Sequence, residues 1–549
     1  MRELIVSSAS NEDLVGSAWL SREYGIELVQ PLRYTSRIGR VNVFRSVDGI
    51  HNNTFQASYA PTNTLAGHLD FMLRHERIHL ELLSRLFAAR GEAEITQWTR
   101  REPAGRNARR AAWLYEWLTG NLLDAPASIN APYVPILEPD RYWVAPDLRS
   151  KGERKRMTVR VTESEKAALQ AFLDGLRGNT HVRRWRVRDN MPGTRAFCPM
   201  VVLDDDVKQS LSQVDIRAAL AALEHDFGID LLRRSAVWLT LKESRSSFTI
   251  EGEHNPDREQ RFASAMEVNL GKMSNIFGDD LLKLQREILG SRALHHGLRQ
   301  SPIFVGQVVQ FREVVHYVAP PYEMLSEMLR ALQMVLSRTE GSNPLVRAAA
   351  ISFAFVYLHP LTDGNGRVSR FLINDVLRRD GAVEAPLVLP VSANITKDMT
   401  AYDRVLDRFS APFRARYARS WRFVSKDTRY PDGQISNFDF DEYEDAGHAW
   451  KYLDLTDHVK YMVGVVSDTI RGEMRDEAIF LRNHLQLRKR LGNLIEGSDQ
   501  ALDRIIRSVG ENRRITGVLE AEYPILQDAD LAGRVVEAVL ESVDAVTTQ

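Results

Sequence analysis

The sequence is poor in the features that staple or anchor many chains. Cysteine occurs once in 549 residues, at Cys198. One thiol makes no internal disulfide and no Cys-rich zinc site, so the fold does not depend on an oxidising compartment. Long hydrophobic runs are also missing. The longest strongly apolar stretch, Ala348 to Leu358, has 11 residues, short of the ~20 that a membrane helix needs. An excess of one charge is absent too: 72 Lys and Arg oppose 73 Asp and Glu, a net charge of -1. That excludes a dominant nucleic-acid charge signature and the composition of a disordered chain, though not a local patch. The opening MRELIVSSASNEDLV lacks the basic start and apolar run of a signal peptide. No internal repeat or low-complexity tract is visible. These absences predict a cytoplasmic protein with no membrane segment, and at ~150 residues per domain, three or four domains' worth of chain.

What is present points to helices. Leu65 to Arg90 has helical periodicity, with Leu65, Leu69, Met72, Leu73, Leu80, Leu83 and Phe87 on one face. Within it, His75-Glu-Arg-Ile-His79 matches HExxH, two histidines one turn apart that can bind zinc with Glu76 as base. The match is short and has no visible third ligand. Residues 100–195 are basic, including RSKGERKR from Arg149 and HVRRWRVR from His181. A solvated face and a footprint for nucleic acid or an acidic partner both fit such runs. Aromatics are sparse there, which weakens a base-stacking surface. Further on, helices are predicted over 230–250 and 321–338. Asn343-Pro344 is a strong start for the apolar helix LVRAAAISFAFVYL. The helix RVSRFLINDVLRR follows and stops near Gly381. From about 431 the chain reads as an Asp-rich loop followed by helical runs. The last 49 residues hold five Arg and nine Asp or Glu, an acidity that argues against DNA clamping.

The informative segment is His359-Pro-Leu-Thr-Asp363-Gly-Asn365-Gly-Arg367-Val-Ser-Arg370. A buried helix ends at His359, and a glycine-rich turn leads into a new helix. The first N–H groups of that helix lack internal partners, and glycines let a ligand approach the backbone. This predicts an anion nest at a positive helix end. Arg367 and Arg370, three apart, can hold phosphate oxygens together. Asp363 offers a hard oxygen for Mg²⁺, and His359 a general base. No P-loop and no EF-hand pattern occurs in this segment.

The segment resembles the Fic family motif, HPFx(D/E)GNGRxxR, departing from it only at Leu361. The resemblance implies a protein adenylyltransferase that uses ATP and Mg²⁺ to move AMP to a Ser, Thr or Tyr hydroxyl, releasing pyrophosphate. His359 would be the general base and Asp363 the metal ligand. Gly364, Asn365, Gly366, Arg367 and Arg370 would bind nucleotide. Related Doc-type kinases carry Lys where this chain has Gly366. Ser247-Phe-Thr-Ile-Glu251-Gly252 resembles the family's inhibitory motif, in which Glu251 would take Arg370 from the γ-phosphate. Residues 308–317 resemble the flap that aligns a target segment by strand addition. A homodimer is expected from the family.

The implied fold is mainly α: a Fic-type helical core at 229–430 with a short β-hairpin flap, an α-rich N-terminal region at 1–228, and a small helical or winged-helix-like module at 431–549. De-AMPylation is an alternative activity. A regulatory protein that binds nucleic acid or a partner, with a secondary Fic site, is an alternative class.

Overall fold

The computed structural model describes residues 13–128, 130–147, 180–290, 293–310 and 312–547. These fold mainly as α-helix, with four small sheets among the described residues. The basic run at 149–156 lies outside them.

The N-terminal region sets a four-stranded sheet, β1 (Leu14–Val15), β2 (Tyr34–Gly39), β3 (Val43–Val47) and β4 (Ile50–Gln56), in the order β1-β2-β4-β3. Beside it stand α1 (Leu65–His75), α2 (Leu80–Ala89), α3 (Glu92–Arg101) and α4 (Arg106–Thr119). Every apolar position of the 65–90 periodicity is buried. The helix nevertheless does not run through, and HERIH does not form one helical face. Glu76 leaves the helix because its carboxylate accepts from the Ser17 backbone N–H at 2.8 Å and from Ser17 Oγ at 2.6 Å. It thereby satisfies the start of the helix Ser17–Glu23. His79 becomes the N-cap of α2, its Nδ1 accepting from the Leu82 N–H at 3.2 Å. The i, i+4 spacing a zinc pair needs is lost. No cluster of three or more His, Cys, Asp or Glu able to hold a metal occurs among the described residues.

Most of the arginines described between 100 and 188 are engaged by the protein itself. Arg110 is buried and bonds the Ile136 carbonyl and Glu138. Arg109 donates to the Pro132 and Arg186 carbonyls. Arg184 pairs with Glu116, and Arg186 donates to Ala131. They tie a three-stranded sheet, β5 (Val134–Pro135), β6 (Thr180–Val182) and β7 (Val187–Asp189), onto α4 and the loop after it. Among the described residues, Arg109, Arg110, Arg184 and Arg186 thus act as an internal brace.

The central bundle holds the site. Its helices are α5 (Ile229–Ile250), α6 (Pro256–Asn269), α7 (Asp279–Leu289), α8 (Tyr322–Arg338), α9 (Pro344–Leu358), α10 (Asn365–Arg379) and α11 (Met399–Tyr417). Asn343 Oδ1 accepts from the N–H groups of Leu345 and Val346, so α9 starts where Asn-Pro predicts. Nearly every α9 side chain is buried, as expected of a helix that is apolar all round. The hairpin β8 (Phe304–Val309) and β9 (Arg312–Val318) stands where the flap is expected. It is tied down by Tyr317 Oη, which donates to the Tyr357 carbonyl, and by Arg414, which donates to the His316 carbonyl.

Residues near 431 form no loose loop. β10 (Trp421–Arg429) and β11 (Ile435–Phe440) make a hairpin, and the apolar core shared with α9 and α10 runs on to Ala478. A separate small core from Leu487 to Val539 joins α13 (Arg475–Gly492), α14 (Asp499–Asn512) and α15 (Ala529–Thr547), which follow α12 (Thr456–Asp468). This terminal module is helical. Among the described residues no strand follows Phe440, so the winged alternative does not hold. Among the described residues, no helix is long and apolar enough to cross a membrane.

Candidate active site

The loop between α9 and α10 is held from behind by buried side chains. His359 ends α9 in the left-handed region, at φ 45, a rare conformation for a non-glycine residue. Arg299 accounts for it. Its buried guanidinium donates to the His359 carbonyl at 2.7 Å, and also to the carbonyls of Leu358, Ser301 and Pro320. Gln285 donates to the Asp363 carbonyl at 2.9 Å and accepts from the Gly297 N–H at 2.7 Å. Asn365 turns inward: its side chain closes a two-way pair with the Leu361 backbone, at 2.8 Å each way. Leu361, the departure from the usual Phe, is fully buried and its backbone bridges Leu298. It is a packing residue, as its type suggests. Arg299 and Gln285 carry no local sequence signal, because their partners lie 60 and 78 residues away.

The front of the loop presents a helix start with no capping side chain. Gly364, at φ 88, is the N-cap of α10 and brings no capping side chain, so the first N–H groups of α10 face the loop. Asp363 is half-exposed, and its Oδ1 accepts from Arg367 at 2.8 Å. The His359 imidazole is pushed down to about 4 by burial and by the nearby Arg299 charge, against the pull of Glu251, a ring hydrogen bond to the Val356 backbone and Asp363. It is therefore a neutral imidazole at neutral pH, the form that accepts a proton.

The two motif arginines are buried and already paired. Arg370 donates from Nε to Ser247 Oγ at 2.7 Å, and from Nη2 to the Ser247 carbonyl at 2.9 Å and Glu251 Oε1 at 2.7 Å. All three contacts come from the end of α5. Burial alone would raise the Glu251 carboxyl, but Arg370, aided by Arg367 and His359, holds it below its ordinary value. The end of α5 explains how Glu251 is presented. Gly252 N–H bonds the Thr249 carbonyl and Glu253 N–H the Phe248 carbonyl, each at 3.0 Å, with Gly252 left-handed at φ 70. This is a Schellman stop, whose left-handed position favours glycine. Phe248, fully buried beneath it, anchors the turn, worth about 1.5–3 kcal/mol for such a side chain. Gly366 is the matching gap on α10: a Cβ there would lie 1.9 Å from Glu251 Oε1. A side chain at 366 and Glu251 in this place are mutually exclusive.

Glu253 was not singled out by its sequence. Its carboxylate pairs with Arg367 at 3.2 Å and with Arg258 of α6. Two surface cavities, of about 780 and 410 Å³, include no residue of 359–370. The loop is instead filled by the side chains of residues 247–253.

Residues 278–377 match the Fic/DOC family. That segment is similar to the Fic domain. Over 117 residues it is 35% identical to the protein adenylyltransferase fic-1 of Caenorhabditis briggsae, covering 21% of each chain. It is 34% identical over 114 residues to the protein adenylyltransferase Fic of Nematostella vectensis, covering 20% of this chain and 25% of the relative. To the Aedes aegypti protein of the same name it is 27% identical over 192 residues, 32% of this chain and 35% of that one. The chain thus spans between a fifth and about a third of the length of these relatives. A solved Fic family protein from Desulfovibrio desulfuricans G20 aligns with 56% of this chain and 80% of its own, at 19% identity and a TM-score of 0.33. The matched 278–377 segment contains His359 and the whole 359–370 loop, whereas Ser247, Glu251 and Gly252 lie before it.

Proposed function

We propose that the chain is an autoinhibited protein adenylyltransferase. The observation that carries this reading is the pair of buried arginines one turn apart on α10, beside an uncapped helix start and a neutral histidine. Such an arrangement stabilises a polyphosphate and removes a hydroxyl proton.

In this reading ATP lies across the start of α10. The backbone of Gly364, Asn365 and Gly366 receives phosphate oxygens, and Arg367 and Arg370 hold the triphosphate. The oxygen of a protein Ser, Thr or Tyr attacks the α-phosphorus while its proton passes to His359. The bond from the α-phosphorus to its bridging oxygen breaks, and pyrophosphate leaves with the electron pair. Mg²⁺ fits the residues present: a half-exposed carboxylate, Asp363, at the mouth of a phosphate cradle suits an ion bound by one or two carboxylates plus substrate phosphates. Asp363 would hold it, and it would neutralise charge on the phosphates. Arg299 keeps the His359 backbone in its left-handed place, so the base is preset rather than ordered at each turnover.

Glu251 is the brake. While it holds Arg370, the triphosphate lacks one of its two motif arginines. The target would dock along the flap, whose two strands each keep one unpaired edge among the described residues.

The test is transfer of labelled AMP from α-labelled ATP, comparing the unaltered chain, Glu251→Gly, and Glu251→Gly with His359→Ala. Label on protein with Glu251→Gly, less with the unaltered chain and none with the double variant is the expected pattern. Equal silence of Glu251→Gly and the double variant, with ATP still bound and a protein acceptor supplied, contradicts it.

A further inference from the structure

We infer that Arg258 and Arg367 form a second phosphate subsite in the nucleotide cradle, and that Glu253 fills it in the resting chain. The inference rests on the nucleotide-binding reading above and assigns to it a residue outside the 359–370 loop.

Arg258 comes from the first turn of α6, not from α10. The Asn255 side chain caps that helix by accepting from the Arg258 N–H at 3.1 Å. This fixes the Arg258 backbone beside the Schellman turn. Its guanidinium bonds the Glu253 carboxylate and lies 3.9 Å from Asp363 Oδ2. It sits on the side of Phe248, 5.8 Å from the ring centroid, and Arg367 lies 4.9 Å from the same centroid. One buried aromatic ring therefore supports both guanidiniums, and one carboxylate oxygen, Glu253 Oε2, bridges them. Such a bridged oxygen marks where an anionic oxygen is stable. Arg367 also keeps a donor in hand: its buried Nε has no hydrogen-bond partner among the described residues.

The charges around the cradle favour a polyphosphate. Three guanidiniums, Arg258, Arg367 and Arg370, face three carboxylates, Glu251, Glu253 and Asp363. The resting cradle is balanced. Glu251 and Glu253 flank Gly252 in one turn, so release of that turn withdraws both carboxylates and leaves a cationic surplus of two. A single phosphate does not need three arginines spread over two helices, whereas the successive phosphates of a nucleoside triphosphate do. The same geometry makes Glu251→Gly a partial release, since Glu253 still occupies Arg367.

The experiment is calorimetric binding to the full chain, with inorganic tripolyphosphate, ATP and AMP as separate probes. It compares Glu251→Gly, Glu251→Gly with Glu253→Gln, and that pair with Arg258→Gln. The last variant removes both partners of the pair, so no unpaired carboxylate is left at the turn, and its melting temperature is recorded. The expected result is a tripolyphosphate and ATP affinity about tenfold tighter when Glu253→Gln is added, from the worth of a charge-assisted bond. Arg258→Gln then cancels that gain, while AMP affinity moves by less than about twofold. A purely structural role for Arg258 would shift AMP and tripolyphosphate together, and that result overturns the inference. So does a tripolyphosphate affinity indifferent to residues 253 and 258. If tripolyphosphate binding depends on Arg258 but no AMP is transferred, the subsite stands and the adenylyltransfer reading falls. If AMP is transferred whatever stands at 253 and 258, the reverse holds.

Discussion

Two breaks between helices in this chain carry a histidine, and they are built in opposite ways. At 75–79 the side chains serve the backbone. Glu76 satisfies the start of the Ser17–Glu23 helix, and the His79 imidazole caps α2. At 359–370 the backbone is served by Arg299 and Gln285 from outside the loop and by Asn365 from within it. The His359 imidazole and the α10 N-terminus are thereby left for a ligand. In the 75–79 break the chemistry-bearing side chains, Glu76 and His79, are spent on helix starts. In the 359–370 loop the His359 side chain caps no helix start, and Gly364 brings no side chain to the start of α10.

This contrast makes predictions of decreasing size. The largest is His359→Ala in the Glu251→Gly background. It should cut AMP transfer by roughly 10²–10⁴, the range for a lost general base, with ATP affinity within about twofold by calorimetry. His79→Ala in the same background should leave transfer unchanged. If His79→Ala also silences transfer, the contrast fails.

Next is Arg299→Gln. It removes the clamp behind His359 without touching a ligand, so kcat should fall by about 10- to 100-fold while KM for ATP changes little. Stability should also drop, by roughly 1–3 kcal/mol for the buried carbonyls left unpaired, read as a lower urea midpoint. An unchanged kcat would show that the left-handed cap holds itself.

The pH profile sharpens the same point. A base whose folded value is depressed to about 4 stays neutral at every pH above that. Transfer by Glu251→Gly should therefore be flat from pH 8 down to about 5.5. Glu251 is held below its ordinary carboxylate value, so its pair with Arg370 persists through this window and is lost only at lower pH. Acidification to 5.5 should not release the brake in the unaltered chain. A fall in transfer centred near the ordinary histidine value of ~6.5 would place His359 in a wetter setting.

The smallest effect belongs to the joint. His79→Ala should cost about 1 kcal/mol, the usual worth of an N-cap, measured by denaturant unfolding. Transfer lost on chelation should return with Mg²⁺ and should not require zinc.

Much of this was legible in the sequence because it is local. Asn-Pro marks the start of α9, Gly252 closes α5, and the glycines and arginines of 359–370 follow each other in the order the loop needs. Ser247 and Glu251 stand one turn apart in the sequence, and the fold brings both to Arg370. What the sequence hid is long-range. Nothing local to HHGLRQSP marks Arg299 as a clamp for His359. The break at Glu76 depends on Ser17, which lies 59 residues away. The strand Ile435–Phe440 falls in the stretch from about 431 that reads as an Asp-rich loop, because only Phe438 and Phe440 of its six residues are buried. Glu253 stood two residues past Glu251 in plain view. Its role appears only when α6 and α10 converge on it.

The central claim is that the α-phosphate, not the γ-phosphate, is transferred. It is tested most directly by incubating Glu251→Gly and a protein acceptor with ATP labelled at either position. The account predicts label on protein from α-labelled ATP alone, with pyrophosphate released in equal amount. Label on protein from γ-labelled ATP, with ADP as the product, would contradict it.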